Sequence, residues 1–353
     1  MNTATRTIWT IFSLLITVLL INCTGERSNH DEQGTEQSAQ SDVQAMLEVK
    51  EWPVPWEDTR PRDPYVAPDG KVWFCGQAGN YLGSFDPATE EFKRFEVPER
   101  SNPHNLIIDD EGFVWYAGNL NAHIGKLDPA DGSITQFPMP DPAARDPHTL
   151  VFNQEGNIWF TVQGGNFIGY LDTTTGEVKL VSVPTPKARP YGIKMDSQNQ
   201  PWVVLFGTNK LATIDPSTFE LTEIELPDST SRPRRLEIKE GLIYYADYSK
   251  GYVGRYDTNT GSFAEWPLPG GRDSRPYGTA MDHQGIIWIA EAGLDPNRLV
   301  GFDPGNGSFV GITEIPSGGG VIRHMYFDSQ KREIWFGTDT NNLGRAVVSA
   351  AGS

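Results

Sequence analysis

The sequence predicts an all-β protein, a seven-bladed β-propeller with four antiparallel strands in each blade. The first observation is an internal repeat of 42 to 47 residues in the 353-residue chain, marked by one aromatic position: Trp73, Trp115, Trp159, Trp202, Tyr244, Trp288 and Trp335. The second is the content of 36 glycines and 26 prolines, which suits many short strands joined by tight turns. Four strands in about 40–45 residues is the period of a propeller blade.

Each repeat predicts the same order of strands. The sixth, Arg275–Gly293, reads as a strand, a D-x-x-G turn and a second strand, with β-branched and aromatic residues on both sides. In such a hairpin the first strand begins beside the end of the second, so Tyr277 and Glu291 are expected at one edge. A third strand ending in a D-P or D-T turn and a fourth strand complete the unit.

The ends of the chain are expected to close the ring. No segment after Val348 can supply the fourth strand of the last blade, whereas Leu47–Pro55 has the same pattern as Phe263–Pro269, the fourth strand of an earlier repeat. An N-terminal strand in the last blade would protect the sheet edges. We therefore predict a single propeller over residues 46–350, with the recurring aromatic side chain packed between blades.

The N-terminal region predicts export. Residues 1–23 contain Arg6, then an apolar run that ends at Cys23, which is typical of a lipoprotein signal peptide with Cys23 as the lipidated residue. The alternative is an uncleaved membrane anchor. Residues 24–45 are polar and predict a disordered tether. Either alternative places the body outside the cytoplasm, tethered to a bacterial membrane on its periplasmic side or at the cell surface.

The charge restricts the partners. The formal net charge is −17, which excludes a nucleic-acid partner because phosphates require a basic surface. A monomer that binds a small molecule is expected.

Outside the predicted site, Cys75 lies in an alternating strand and is expected to be a buried apolar residue, whereas His123 and His283 lie in turns and are expected to be exposed.

The repeat P-[HY]-x-x-x-x-D-x-x-G-x-[IV]-W-F, followed by N-x-I-G-x-L-D-P-x-T-G, resembles that of the streptogramin (virginiamycin B) lyase family, from residue 47 to about 348. The resemblance implies a lyase that opens a cyclic depsipeptide by elimination, with a magnesium ion, a histidine base and a glutamate. Glu291 matches that glutamate. Tyr277 stands where the family has a histidine, and Arg234 where the preceding blade has another, so we expect a natural substrate other than the antibiotic.

Propellers bind ligands at the mouth of the central channel, where the innermost strands begin. The repeat alignment places these residues at the mouth: Tyr65, His104, His148, Tyr191, Arg234, Tyr277 and His324. The adjoining strands end there at Gly76, Gly118, Val162, Leu205, Asp247, Glu291 and Thr338.

Arginines are concentrated in blades 4 to 6, at Arg189, Arg232, Arg234, Arg235 and Arg275. Their guanidinium groups suit a carboxylate or another anionic group on a ligand. The alternative is that they pair with Asp247, Glu291 and neighbouring acids as struts between blades.

An elimination requires a base, a stabiliser of the developing negative charge and an acid for the leaving group. Tyr277 or Tyr191 is the expected base, provided that a neighbouring arginine lowers its pKa. Arg234 is the expected stabiliser, and His324 the expected acid.

Two metal sites are possible. A divalent cation, with magnesium as the first choice, would bind Glu291 and Asp247. The alternative is a transition metal held by His104, His148 and His324, since imidazole suits such ions.

The predicted site therefore has three groups of residues. Those expected to be catalytic are Tyr277, Glu291, Arg234 and His324; those expected to bind the ligand are Tyr65, His104, His148, Tyr191, Arg232 and Arg275; those expected to bind the metal are Glu291 and Asp247. Three function classes remain open: a carbon–oxygen lyase acting on an ester- or carboxylate-bearing small molecule, a non-catalytic ligand- or protein-binding propeller, and a lactonase-type hydrolase.

Overall fold

A computed structural model describes residues 47–348, which form seven four-stranded antiparallel sheets. The innermost strand of each sheet contacts the innermost strands of its two neighbours, and the last sheet contacts the first, so the sheets surround a channel. The predictions for residues 1–23, Cys23 and residues 24–45 lie outside the described residues. Within residues 47–348, no helix has the length and apolar character needed to cross a membrane.

The strands of the first half are β1 (Leu47–Pro53), β2 (Pro61–Val66), β3 (Val72–Gly76), β4 (Tyr81–Asp86), β5 (Glu91–Glu96), β6 (Pro103–Ile108), β7 (Val114–Gly118), β8 (His123–Leu127), β9 (Ile134–Pro138), β10 (Pro147–Phe152), β11 (Ile158–Val162), β12 (Phe167–Leu171) and β13 (Val178–Ser182). The second half contains β14 (Pro190–Met195), β15 (Pro201–Leu205), β16 (Lys210–Ile214), β17 (Leu221–Glu225), β18 (Pro233–Lys239), β19 (Leu242–Asp247), β20 (Tyr252–Asp257), β21 (Phe263–Pro267), β22 (Pro276–Met281), β23 (Ile287–Glu291), β24 (Arg298–Asp303), β25 (Ser308–Glu314), β26 (Met325–Asp328), β27 (Glu333–Gly337) and β28 (Asn342–Val348). A short 3-10 helix (Gly271–Ser274) precedes β22.

The N-terminal strand closes the ring, as predicted. The last sheet has the order β1-β28-β27-β26, and β1 pairs with β28 from Leu47 opposite Val348 to Pro53 opposite Asn342. The first and last strands of the propeller therefore share one sheet, and their backbone hydrogen bonds hold the ring shut.

The aspartate of the D-x-x-G turn explains why the turn and the following tryptophan occur together. In blade 6, Asp282 Oδ1 accepts backbone hydrogen bonds from Gln284 (2.8 Å) and Ile286 (3.0 Å), while Oδ2 accepts one from Trp288 Nε1 (2.8 Å). One carboxylate thus fixes both the turn and the orientation of the indole. The same indole bond recurs in blades 2 and 4, from Trp115 to Asp109 (2.8 Å) and from Trp202 to Asp196 (3.0 Å).

The core lies between the blades, and the recurring aromatic residues pack there, as predicted. Trp335 of blade 7 lies in one buried cluster with Val72 and Phe74 of blade 1. Trp288 of blade 6 lies in another cluster with Met325 of blade 7. Each indole therefore joins two sheets, which explains why its position recurs in every blade.

Of the three residues given no functional role, two predictions are confirmed and one is wrong. Cys75 is fully buried in an apolar cluster, and His283 is exposed. His123 is buried, because Gly118 opposite it on β7 has no side chain and leaves room for the imidazole ring. Its Nε2 lies 3.2 Å from the Tyr116 hydroxyl oxygen, and burial lowers its pKa to about 4.

We predict that Trp52→Ala in β1 lowers the free energy of unfolding by about 3–5 kcal/mol, the usual cost of truncating a buried tryptophan. The Trp52 ring stacks on Trp335 at 5.6 Å between ring centroids, so the change removes packing where the ring closes. Urea denaturation measures this loss. The control, Glu48→Ala at an exposed position of the same strand, should change stability by less than about 0.5 kcal/mol. Equal effects of the two changes would contradict closure through β1.

Candidate functional site at the channel mouth

Strand register places the predicted mouth residues of blades 2 to 6 at equivalent positions. In each of these blades the proline that opens the innermost strand faces the predicted end of the second strand: Pro103 and Gly118, Pro147 and Val162, Pro190 and Leu205, Pro233 and Asp247, Pro276 and Glu291. The residues that follow these prolines therefore occupy one layer, which we call the mouth layer. They are His104, His148, Tyr191, Arg234 and Tyr277.

The prediction for blade 1 is wrong in register. Pro61, not Pro64, faces Gly76, so Arg62 occupies the mouth layer. The segment PRDPY contains two prolines, and the repeat pattern predicted that the second, Pro64, opens the innermost strand at the mouth. Tyr65 instead lies further along the strand, where its ring centroid is 4.3 Å from that of Tyr326. The ligand-binding role predicted for Tyr65 at the mouth therefore loses its geometric basis.

The prediction for blade 7 is wrong by one residue. Tyr326 faces Trp335 in blade 7, as Ala280 faces Trp288 in blade 6. Tyr277 lies three residues before Ala280, so the equivalent residue of blade 7 is Arg323. Arg323 therefore occupies the mouth layer, and His324 lies in the next layer. This blade has no proline at the start of its innermost strand, and nothing in the sequence marks the register. Arg323 Nη2 donates to Asp339 Oδ2 at 2.7 Å, which neutralises its charge.

A buried carboxylate lies directly beneath the mouth layer. Asp63 is fully buried, and its oxygens accept hydrogen bonds from Arg62 Nε at 2.9 Å and from Asn105 Nδ2 at 2.9 Å. Arg235 Nη2 lies 3.5 Å from Oδ2 of the same carboxylate. Burial alone would raise the pKa of Asp63, but the guanidinium groups of Arg62 and Arg235 hold it well below its usual range.

The side chain of Arg235 crosses the channel from blade 5. Besides Asp63 of blade 1, it donates from Nη1 to Thr149 Oγ1 of blade 3 at 3.1 Å and from Nε to the Arg323 carbonyl of blade 7 at 3.4 Å. The equivalent position in blade 4 is Gly192, where a Cβ atom would lie 3.2 Å from the Arg235 Cα atom. Arg235 therefore separates the mouth from the lower part of the channel.

Two imidazoles and a phenol lie in contact, with their rings tilted against each other, on one side of the mouth layer. The ring centroids of His104 and His148 are 3.7 Å apart, and those of His148 and Tyr191 are 4.0 Å apart. Burial, together with nearby arginines, lowers the pKa of both histidines well below the ordinary value, so both are neutral. His104 Nδ1 and His148 Nε2 are buried and have no hydrogen-bond partner within residues 47–348.

A tyrosine pair occupies the other side. The hydroxyl groups of Tyr191 and Tyr277 are hydrogen-bonded to each other, and both side chains are buried. The Arg234 guanidinium carbon lies 3.5 Å from the ring centroid of Tyr277 and 5.3 Å from that of Tyr191.

The two phenols differ in acidity. Burial raises the pKa of Tyr277 to about 12, helped by the neighbouring Tyr191. Burial would raise the pKa of Tyr191 as well, but the guanidinium groups of Arg234 and Arg235, with that of Arg62, outweigh it and lower this pKa. These directions favour Tyr191 as the phenol that ionises first and Tyr277 as its hydrogen-bond donor.

Positive charge exceeds negative charge at the centre of the ring. Arg62 and Arg235 share the single carboxylate of Asp63, and Arg234 has no ion pair within the described part of the chain. The same holds for three arginines at the rim of blades 4 to 6, Arg189, Arg232 and Arg275. In a chain with a net charge of −17, this local surplus favours an anionic ligand at the mouth.

The alternative that these arginines are struts between blades is confirmed for Arg235, which pairs with Asp63, but the predicted pairs with Asp247 and Glu291 do not form. Glu291 is fully buried, and it accepts hydrogen bonds from Arg298 Nε at 2.8 Å and from the Gly270 backbone at 2.7 Å. Asp247 Oδ1 accepts backbone hydrogen bonds, including one from Arg232 at 3.0 Å, and no guanidinium. Both acids therefore organise loops beside the mouth. Arg232 Nη1 donates to the backbone carbonyls of Ser229 (2.9 Å) and Ser231 (2.6 Å), but no carboxylate within the described residues neutralises it.

Within residues 47–348, the ligands predicted for the two metal sites are engaged by other groups or lie beside positive charge. Both oxygens of Glu291 are occupied, and no group of three or more histidine, cysteine, aspartate or glutamate side chains within residues 47–348 could hold an ion. The neighbouring imidazoles of His104 and His148 lie among guanidinium groups, which oppose the binding of a cation. No step proposed below passes through a metal, and the metal sites stay predictions.

The sequence did not single out Arg62, Asp63 or Asn105 as site residues. A signal was present, because all three are polar positions within innermost strands that are otherwise buried. A correct register for the first blade would have brought Arg62 and Asp63 into the mouth layer and the layer below it.

The fold and site together define a seven-bladed propeller with an arginine-rich, aromatic channel mouth. Comparison with known proteins gives its family: the model of the virginiamycin B lyase family matches residues 35–296, and the chain belongs to that family. Among solved structures, it is similar to virginiamycin B lyase from Staphylococcus aureus, with 22% identity, a TM-score of 0.78, and coverage of 86% of this chain and 100% of the other. A streptogramin B lyase structure gives 24% identity, a TM-score of 0.77, and coverage of 86% and 98%.

More distant propellers share the fold. Hydrazine synthase from Kuenenia stuttgartiensis has 15% identity, a TM-score of 0.69, and coverage of 85% of this chain and 98% of the other. No curated protein matches the sequence. At these identities the structural matches show the fold, and the chemistry must be argued from the residues at the mouth.

We predict that Asp63→Asn lowers the free energy of unfolding at neutral pH by about 3–5 kcal/mol, because two guanidinium groups lose their buried counter-charge. The pKa of Asp63 is lower in the folded chain than in the unfolded chain, so its ionised form contributes stability above about pH 4, and this contribution is lost as the pH falls. The difference between wild type and variant should therefore shrink near pH 3. Urea denaturation at both pH values measures it.

The control for Asp63 is Glu96→Gln, at an exposed position in the same blade, which should change stability by less than about 0.5 kcal/mol. A difference between wild type and Asp63→Asn that is small at neutral pH, or that grows in acid, would contradict the assignment.

We predict that one of the 12 tyrosines ionises below the ordinary pKa of 10.0, and that Tyr191→Phe removes this titration. Arg234→Gln should raise the pKa of that tyrosine, since the guanidinium stabilises the phenolate. Tyrosinate absorbance as a function of pH measures both effects. Tyr65→Phe is the control and should leave the early titration intact. An unchanged titration in Tyr191→Phe would show that the wrong phenol was assigned.

Proposed function

We propose that this protein is a carbon–oxygen lyase that acts on a small molecule carrying a carboxylate or an ester, bound at the channel mouth. The observation that supports this proposal best is the buried hydroxyl pair of Tyr191 and Tyr277 beneath Arg234, which has no carboxylate partner within the described residues. The pair offers a base of lowered pKa, and the arginine offers a stabiliser of negative charge. Family membership favours elimination as the reaction type.

The residues divide the reaction as follows. Tyr191, as phenolate, removes the hydrogen on the carbon next to the substrate carboxyl group, while Tyr277 keeps its proton and holds the phenolate in place. The electron pair forms a carbon–carbon double bond as the neighbouring carbon–oxygen bond breaks. Arg234 stabilises the charge that develops on the carboxyl oxygens. An ester leaving group departs as a carboxylate, so this step requires no acid.

The proposed elimination does not need an acid for the leaving group, and the protonation state of His324 agrees with this. Burial, with Arg235 nearby, lowers its pKa to about 3, so the imidazole is neutral at physiological pH and is a poor proton donor. We therefore do not assign the departure of the leaving group to His324. The rim arginines Arg232 and Arg275 would bind a further anionic group of the substrate.

A second candidate function is ligand binding without chemistry. It is favoured by the burial of Tyr277, which is only 2% exposed and lies beneath Arg234. A ligand could then bind Arg234 and the rim arginines without reaching the phenols.

The test uses β-acyloxy carboxylic acids, which carry a hydrogen on the carbon next to the carboxyl group and the acyloxy group on the following carbon, in water labelled with heavy oxygen. Elimination should give an unsaturated acid, measured by its absorbance and mass, without solvent oxygen in either product. Tyr191→Phe should reduce turnover by about 10²–10⁴-fold, the usual contribution of a general base, and Arg234→Gln by about 10²–10³-fold. Arg145→Gln, at an exposed loop position of blade 3, is the matched control and should retain full activity.

Three results would contradict the lyase proposal. Solvent oxygen in the product would indicate a hydrolase of the lactonase type. Saturable binding without turnover, abolished by Arg234→Gln, would indicate the binding function. Full activity in Tyr191→Phe would remove the assigned base.

A further inference from the structure

A cavity lies on the other side of Arg235 from the mouth layer. Its volume is about 440 Å³, and its walls come from the innermost strands of all seven blades. Arg235 lines it, but no residue of the mouth layer does. The volume is within the range of roughly 300–1,000 Å³ that is typical of small-molecule sites.

Most of the wall is apolar. The side chains in the middle of the innermost strands are Leu106, Leu150, Ile193 and Met325, and those near the ends of the strands are Phe152, Met195, Met281 and Phe327. Such a wall favours the apolar body of a ligand, since burial of apolar surface stabilises the complex.

Four polar residues line the inner end of the cavity, Asn105, Thr149, Arg235 and His324, and further polar residues, including Lys194, Glu237 and Thr279, line the rest of the wall. A guanidinium has five N–H groups, and Arg235 donates to three partners, so two N–H groups are left for a ligand. His324 Nδ1 is buried and has no hydrogen-bond partner within residues 47–348. Arg235 therefore offers two free N–H donors at the inner end, and His324 Nδ1 donates or accepts according to the tautomer of the neutral ring.

The charges at the cavity favour an anion. The one carboxylate in its wall, Glu237, is neutralised by Lys194 Nζ at 2.5 Å and accepts a hydrogen bond from Thr279 Oγ1 at 2.8 Å. Asp63 is shared between Arg62 and Arg235, which leaves one positive charge in excess at the inner end. A cation would meet this excess, whereas a carboxylate would neutralise it.

We infer that this cavity binds a small amphiphilic monocarboxylate, with its carboxylate toward Arg235 and His324 and its apolar body along the wall. The site is distinct from the channel mouth and does not depend on the reaction proposed there. Arg235 lies between the cavity and the mouth layer and contacts both.

The test is calorimetric titration of the whole protein with sodium octanoate, using octanol as the uncharged probe of matched length. Octanoate should bind in a one-to-one complex and at least about ten-fold more tightly than octanol, because one charge-assisted contact is worth about 1.5–3 kcal/mol. Octanol binding as tightly as octanoate, or no saturable octanoate binding, would overturn the inference.

Variants locate the site. Met281→Trp should fill the cavity and weaken octanoate binding at least about ten-fold, whereas Leu120→Trp, at a loop position that is 57% exposed, should not change it. Tyr277→Phe at the mouth should also leave octanoate binding unchanged, which separates this site from the proposed lyase site. Equal affinities for Met281→Trp and wild type would overturn the assignment.

A variant that keeps the cavity open gives the same information if Met281→Trp fails to fold. His324→Gln preserves a hydrogen-bonding side chain but changes its geometry, so octanoate affinity should fall while octanol affinity stays constant. Loss of both affinities in equal measure would contradict a contact between the carboxylate and His324.

Discussion

The buried ion cluster of Arg62, Asp63 and Arg235 is the interaction on which the rest of the channel depends. It joins blade 1 to blade 5 across the centre of the ring, and Arg235 also bonds to blades 3 and 7. Two guanidinium groups on one carboxylate are costly to bury, and they persist because hydrogen bonds from several blades fix their geometry. The cluster therefore sets both the spacing of the innermost strands and the sign of the charge that they surround.

That charge determines the chemistry and the ligands that suit the mouth, above Arg235, and the cavity, below Arg235. Above Arg235, the excess positive charge lowers the pKa of Tyr191, and Arg234 faces the phenols without an ion pair within the described residues. Below Arg235, the same excess meets an apolar wall, which favours a carboxylate with an apolar body. The histidines within the cluster's reach stay neutral, because burial and nearby arginines both oppose their protonation.

The fold was predictable from the sequence because of three features of the repeat: its period, the aspartate of the turn and the tryptophan. Each feature reflects one physical requirement of the same four-stranded unit. The residues of the mouth layer were predictable in the blades where a single proline opens the innermost strand. The prediction failed in the first and last blades. Blade 1 offers two prolines and blade 7 offers none, so Tyr65 and His324 were placed in the wrong layer. The partner of each charge was not predictable, since Asp63 and Arg235 are 172 residues apart and meet only when the ring closes.

Guanidinium groups outnumber carboxylates at the centre of the ring, and anomalous diffraction from crystals soaked in iodide can locate this excess of positive charge. Iodide is a soft anion that marks uncompensated positive charge. An ordered iodide is expected beside the guanidinium of Arg234 at the mouth, present in wild type and absent in Arg234→Gln. Iodide bound only to exposed lysines on the outer strands, with none in the channel, would contradict it.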